Sequence, residues 1–284
     1  MQPVATGYAL IEGPVWEQGK GLYFSDVLGG GVYRLDPGGA VSTVIPKRRG
    51  VGGMALHDNA GLVVGGRDIA YVRLGDLNTQ VLLDPVQAAH ATGFNDLTTD
   101  AKGRIYVGSL AFRIFAGEEM RQGFLWMIDL DGSLRQVSDG ILVTNGLAVS
   151  PDGKRLYHAD ARRELVRVYD VNEDGSLGNW RCFAATGLGS VPDGLKVAVD
   201  GSVFVADARG SRVAVFGPDG RHRRDIAVPR PMVTSVCFGG DYGRDLYIVT
   251  GSRDGPSDHC GSVYRVRSDV AGAPLSPARV RVQR

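Results

Sequence analysis

The chain has 284 residues, 43% of them apolar and 22% charged, and its 32 basic and 31 acidic side chains leave a net charge of +1. That balance is ordinary for a globular protein and leaves no charge excess to attract nucleic acid or an anionic membrane. The 41 glycines are about twice the usual ~7% share and are scattered along the whole length, which excludes a linker or a collagen repeat and points to many tight turns between short strands.

In chain order, an apolar run, Tyr8 to Ile11, leads to one acid, Glu12, followed by Gly13-Pro14. A Gly-Pro pair is expected to halt regular structure. A carboxylate at the end of a buried strand is costly unless it is paired or bound to a cation, so Glu12 calls for a partner. Beyond it one unit recurs: an apolar strand, a turn, a second strand ending near Asp or Gly, and a third strand. The clearest copies are Asn145–Ser150 with Arg155–Asp160 and Glu164–Asp170, then Asp193–Val199 with Ser202–Asp207 and Ser211–Phe216.

Equivalent starts fall at Gly13, Gly53, Asn95, Asn145, Asp193 and Ser235, 40 to 50 residues apart. A period in the forties with three or four strands per unit predicts an all-β fold, a six-bladed β-propeller with about four antiparallel strands per blade, forming one domain over 1–284. Fourth strands are expected from intervening stretches such as Val41–Ile45 and Gln80–Leu83. No segment holds a long helical period. In such a ring the first strand of each blade lines the central channel, so Glu12, Asn95, Asn145 and Asp193 are expected to converge at one mouth.

Two carboxylates and two carboxamides are hard oxygen donors, suited to one divalent cation: calcium first, with magnesium, manganese or zinc as alternatives. Such an ion polarises a carbonyl and lowers the pKa of a bound water, and Asp193 can serve both as ligand and as general base. Asn145-Gly146 and Asp193-Gly194 also read as simple turn pairs. The five histidines show no zinc spacing, and His158, within a strand, reads as packed. No nucleophile elbow, Walker loop or dinucleotide fingerprint is present. Three cysteines are too few and too scattered for a disulfide scaffold. With no secretion signal and no apolar run near ~20 residues, a cytoplasmic location is expected, with a small-molecule substrate and no nucleic-acid, membrane or protein partner.

Glu12-Gly13-Pro14-Val15-Trp16, Phe94-Asn95-Asp96, Asn145-Gly146-Leu147, Pro192-Asp193-Gly194-Leu195 and Thr234–Gly240 resemble, in order and spacing, the signatures of the gluconolactonase/regucalcin (senescence marker protein) family. The resemblance runs from about residue 8 to 275. It implies a metal-dependent lactonase: Glu12, Asn145 and Asp193 as ligands of one cation, Asn95 beside it contacting substrate or water, and Asp193 as the base. The alternatives are a calcium- or ligand-binding propeller without turnover, or the same site acting on another ester or secondary metabolite. One departure stands out. Members acting on sugar lactones often carry Arg two residues before the Asn of Phe-Asn-Asp, and here that residue is Gly93. The loop from Ala111 to Gln122 is expected to cover the mouth, with Phe112, Arg113 and Glu119 toward substrate. Phe112 and Phe115 suit a less polar ligand or simply pack the loop, and Arg113 is a candidate to replace the missing cation.

Overall fold

A computed structural model describes residues 1–88, 91–114 and 116–283. Its strands form six four-stranded antiparallel sheets, and the inner strands pack side by side in a closed ring. Blade 1 is β2 (Ile11–Glu17), β3 (Gly21–Asp26), β4 (Val32–Leu35) and β5 (Val41–Ile45). Blade 2 is β6 (Met54–His57) to β9 (Thr79–Leu83), and blade 3 is β10 (Gly93–Thr99) to β13 (Leu134–Ile141). Blade 4 runs from β14 (Thr144–Val149) through β15 (Arg155–Asp160) to β17 (Arg181–Ala185), and blade 5 from β18 (Pro192–Val197) through β19 (Val203–Asp207) to β21 (His222–Ala227). The predicted starts all fall in or beside these inner strands.

Blade 6 departs from the expected plan. Its inner three strands are β22 (Val233–Gly239), β23 (Asp245–Thr250) and β24 (Gly261–Arg267), but its outer strand is β1 (Gln2–Tyr8), paired antiparallel with β24. The Tyr8–Ile11 run is therefore not one strand. Tyr8 ends the outer strand of blade 6 and Ile11 begins the inner strand of blade 1, so the chain's first strand closes the ring on its last blade.

The core lies between blades. Six apolar clusters each fill the wedge between two neighbours, as Ile11, Phe24, Cys237 and Val249 do between blades 1 and 6. Each fully buried aliphatic side chain contributes about 1.5–3 kcal/mol, so adjacent blades hold each other rather than standing alone. All three cysteines are free thiols, Cys182 exposed and the other two buried. Among the described residues no helix is long and apolar enough to cross a membrane.

The segment after β24 crosses the end of the channel opposite the candidate site. The Ala273 amide donates to Val197 O (2.9 Å), Thr99 Oγ1 to Ser276 O (2.5 Å) and the Ala278 amide to Leu56 O (2.7 Å). His57 Nε2 lies 2.9 Å from Val280 O. Leu275 and Ser276, with Lys196 and Pro14, line a void of only about 20 Å³ there.

Candidate active site

Each site residue sits at a β-bulge. The ladder registers slip between Glu12 and Val15, Phe94 and Leu97, Thr144 and Leu147, and Pro192 and Leu195. The Gly-Pro pair expected to end structure lies inside β2 instead. Gly13 adopts φ +57°, which a side chain would strain, and absorbs the extra residue. The Asn-Gly and Asp-Gly pairs are likewise bulges and not turns. A Cβ on Gly146 would strike the backbone of Asp193 to Leu195, and one on Gly194 would strike Ser235. Glycine there lets inner strands approach closely at the axis, and the bulge turns the preceding side chain into the channel.

Glu12, Asn95, Asn145 and Asp193 accordingly meet on the wall of one cavity of about 400 Å³. An amide chain links three blades. Asn95 Nδ2 donates to Thr144 O (2.8 Å) and to Asn145 Oδ1, and Asn145 Nδ2 donates to Pro192 O (3.3 Å). These bonds fix which way Asn145 points. Its Oδ1 keeps a second lone pair for another partner.

The carboxylates are crowded. Burial first, then the charges of Asp193 and Asp96, pushes the Glu12 carboxyl well above the usual range, against the Gly13 amide and Lys196. Burial, then Asp96, does the same to Asp193, against the Gly194 amide and Arg253. Asp96, buried just below, is raised by burial too, although Lys196 and the amides of Leu97 and Leu147 oppose this. Three acids thus share one end of the channel, with buried Lys196 beside them. Two acids and a carboxamide oxygen facing a common space, with too little positive charge nearby, are what a hard divalent cation would neutralise. Among the described residues no three His, Cys, Asp or Glu side chains form a metal cluster, so any such ion depends on the Asn145 oxygen as third donor.

The predicted specificity loop reaches the cavity through other residues than expected. Leu110 and Ile114 line it. Phe112 is buried against Val143 and Ala161 beside the wall. Arg113 is turned to solvent, where its Nε donates to Glu118 Oε1 (2.6 Å), and Glu119 is exposed. Phe115 lies outside the described residues. At Gly93 the chain runs flat against blade 2, and the Phe94 amide donates to Gly66 O (2.7 Å). His158 is packed as expected: it is fully buried, with Nε2 2.9 Å from Thr144 Oγ1.

Sequence reasoning missed Asp96 as a third axial acid, Lys196 beneath it, and the charged rim of Arg162, Glu164, Arg209 and Arg253. Asp96 stood within the Phe-Asn-Asp signature. Arg162 and Arg209 each follow an Asp-Ala pair at the same point of successive repeats, a signal that aligning the copies would have exposed.

A family model described as "SMP-30/Gluconolactonase/LRE-like region" matches residues 10–252. Among curated relatives, a 6-deoxy-6-sulfogluconolactonase of Pseudomonas putida is 33% identical over 277 residues, covering 93% of this chain and 92% of the relative. A regucalcin of Gallus gallus is 31% identical, covering 95% of each chain. Among solved structures, a calcium-binding regucalcin of Agrobacterium tumefaciens has a TM-score of 0.84 at 16% identity, covering 99% of this chain and 97% of that one, a likeness of fold alone. The chain therefore belongs to the SMP-30/gluconolactonase/LRE-like family.

Proposed function

We propose that this protein opens a lactone by adding water to its ring carbonyl, using one divalent cation, calcium foremost, held by Glu12, Asn145 and Asp193. The observation that carries this reading is the convergence of these three oxygen donors at the floor of a single cavity. The lactonases among the relatives support it. The three free thiols suit a reducing compartment such as the cytoplasm.

Bound there, the cation supplies Lewis acidity, polarising the ring carbonyl and lowering the pKa of water. Asp193 takes a proton from the attacking water as its oxygen bonds to the carbonyl carbon. Collapse of the tetrahedral adduct breaks the ring C–O bond. Asp193 then returns the proton to the departing alkoxide, giving the hydroxy acid. Glu12 contributes charge and an oxygen donor. Asn95 holds Asn145 in place and offers its Oδ1 to a hydroxyl of the substrate or to water.

The test combines Asp193→Asn and Glu12→Gln with chelator-treated protein reloaded with calcium, zinc, magnesium or manganese. Proton release from a lactone panel and calorimetric titration of the metals are the readouts. Turnover should fall by about two to four orders of magnitude for Asp193→Asn, with the melting transition retained, and cation binding should weaken in both variants. Full metal-dependent turnover in either variant would overturn the assignment. A second reading is a cation-binding propeller without turnover, the solved regucalcin being described as calcium-binding. Tight calcium binding with no proton release from any lactone would select it.

A further inference from the structure

The charge around the cavity mouth is unevenly placed. Arg162 and Arg209 stand two residues past β15 and β19, at the same repeat position in adjacent blades 4 and 5, and both line the cavity while remaining open to water. The neighbouring acids are engaged by other arginines: Asp160 by Arg163 (3.3 Å) and Arg167 (2.6 Å), and Asp207 by Arg212 (3.1 Å). Among the described residues Arg162 and Arg209 enter no ion pair. Glu164, the acid on that rim, accepts the Gly189 amide (3.1 Å). The lining from blades 1 and 3 is mostly apolar, with Leu10, Val27, Phe94, Leu110 and Ile114. The floor carries Glu12 and Asp193.

A basic rim receives a negative group, and the floor, whose two carboxylates are balanced by the divalent cation of the reading above, does not compete for it, so this cavity orients a ligand that is neutral at one end and anionic at the other. Resting on the lactonase reading above, we propose that the substrate is a lactone bearing an anionic substituent, such as a sulfonate or carboxylate, remote from the ring carbonyl. Arg162 and Arg209 hold that substituent while the carbonyl faces Asp193. Guanidinium forks suit such oxygens because they donate two parallel bonds from a planar, permanently charged group. The cation absent from position 93 on blade 3 is thus supplied from the blades that follow it, 4 and 5.

Two measurements test this. The first compares kcat/KM for glucono-1,5-lactone and its C6-sulfonated counterpart in the wild type, Arg162→Gln/Arg209→Gln and Arg162→Lys/Arg209→Lys. The expected preference for the sulfonated ring is about tenfold, carried by KM and shrinking as ionic strength rises from about 0.01 to 1 M. The preference should collapse toward one in the double Gln variant and survive in part in the double Lys variant. The second measurement is calorimetric binding of glucose and C6-sulfonated glucose, which needs no turnover. Equal kinetics for the two lactones, or a preference unchanged in the double Gln variant, would overturn the proposal and leave the lactonase reading standing. A protein that opens no lactone yet binds the sulfonated sugar more tightly through these arginines would sink the lactonase reading and support the anion site.

Discussion

At the residue scale, burial decides what each titratable group does. His158 is sealed within blade 4, and desolvation, helped by the charge of Arg167, pushes its imidazole down to about 3. It stays neutral, and its Nδ1 has no hydrogen-bond partner among the described residues. The unfolded chain regains an ordinary histidine near 6.5. A base depressed in the folded state contributes stability that is complete above the unfolded pKa and is lost as pH falls. Each pH unit between about 6.5 and 3 should therefore cost up to ~1.4 kcal/mol. Urea unfolding at a series of pH values should show this slope in the wild type and a shallower one in His158→Gln. Parallel slopes would refute the sealed-histidine account. The residue types at the site were legible in the sequence, because Glu12, Asn95, Asn145 and Asp193 head equivalent strands. The orientations of Phe112, Arg113 and Glu119 were not, since a loop's composition places residues near a mouth without saying which side chain turns inward.

At the scale of elements, one device recurs. The acid ending the second strand accepts amides from the segment that enters its own blade's inner strand. Asp26 takes those of Ala9 (3.0 Å) and Leu10 (3.1 Å), as well as Gly29 (2.9 Å). Asp160 reaches Leu142 and Val143, and Asp207 takes Val191 (3.1 Å). Asp26→Ala would strand amides in a half-buried crossing next to Glu12. The expected result is a loss of about 1–3 kcal/mol in urea melts, with weaker calorimetric cation binding as β2 loosens. An unchanged melt would mean that water substitutes for the carboxylate. The recurrence of an acid at this point was visible in the repeat. Its job was not, because the amides it holds belong to segments 16 to 18 residues away. The bulges escaped notice for a related reason. Gly-Pro, Asn-Gly and Asp-Gly usually mark turns, and only the close approach of neighbouring strands shows why glycine is needed inside a strand.

At the scale of the whole molecule, the ring depends on a pairing between its extremes. The repeat period made six blades legible, yet β1 was not assigned a place. Its side chains are mostly exposed or half-buried, which weakens the alternation that marks a strand, and its partner β24 lies at the far end of the sequence. Deleting Gln2–Tyr8 should leave β24 as a bare edge and unseat the wedge between blades 6 and 1, where Val4, Ala5 and Tyr8 pack. Differential scanning calorimetry should then show a lower, broader transition, and light scattering should show association through the open edge. A variant that melts as sharply and as high as the full chain would mean that the remaining blades close without it.

Of the two ends of the channel, the one with the arginine rim has a kinetic meaning. Leu275 and Ser276 line the small void at the far end, apart from the cavity that holds Glu12 and Asp193. On the lactonase reading proposed above, a ring opened beside Asp193 departs as an acid, carrying a charge its precursor lacked, past the rim that Arg162 and Arg209 line. That rim would then hold product as well as admit substrate, and the rate at which the mouth clears would enter the turnover alongside the rate at which the ring is broken.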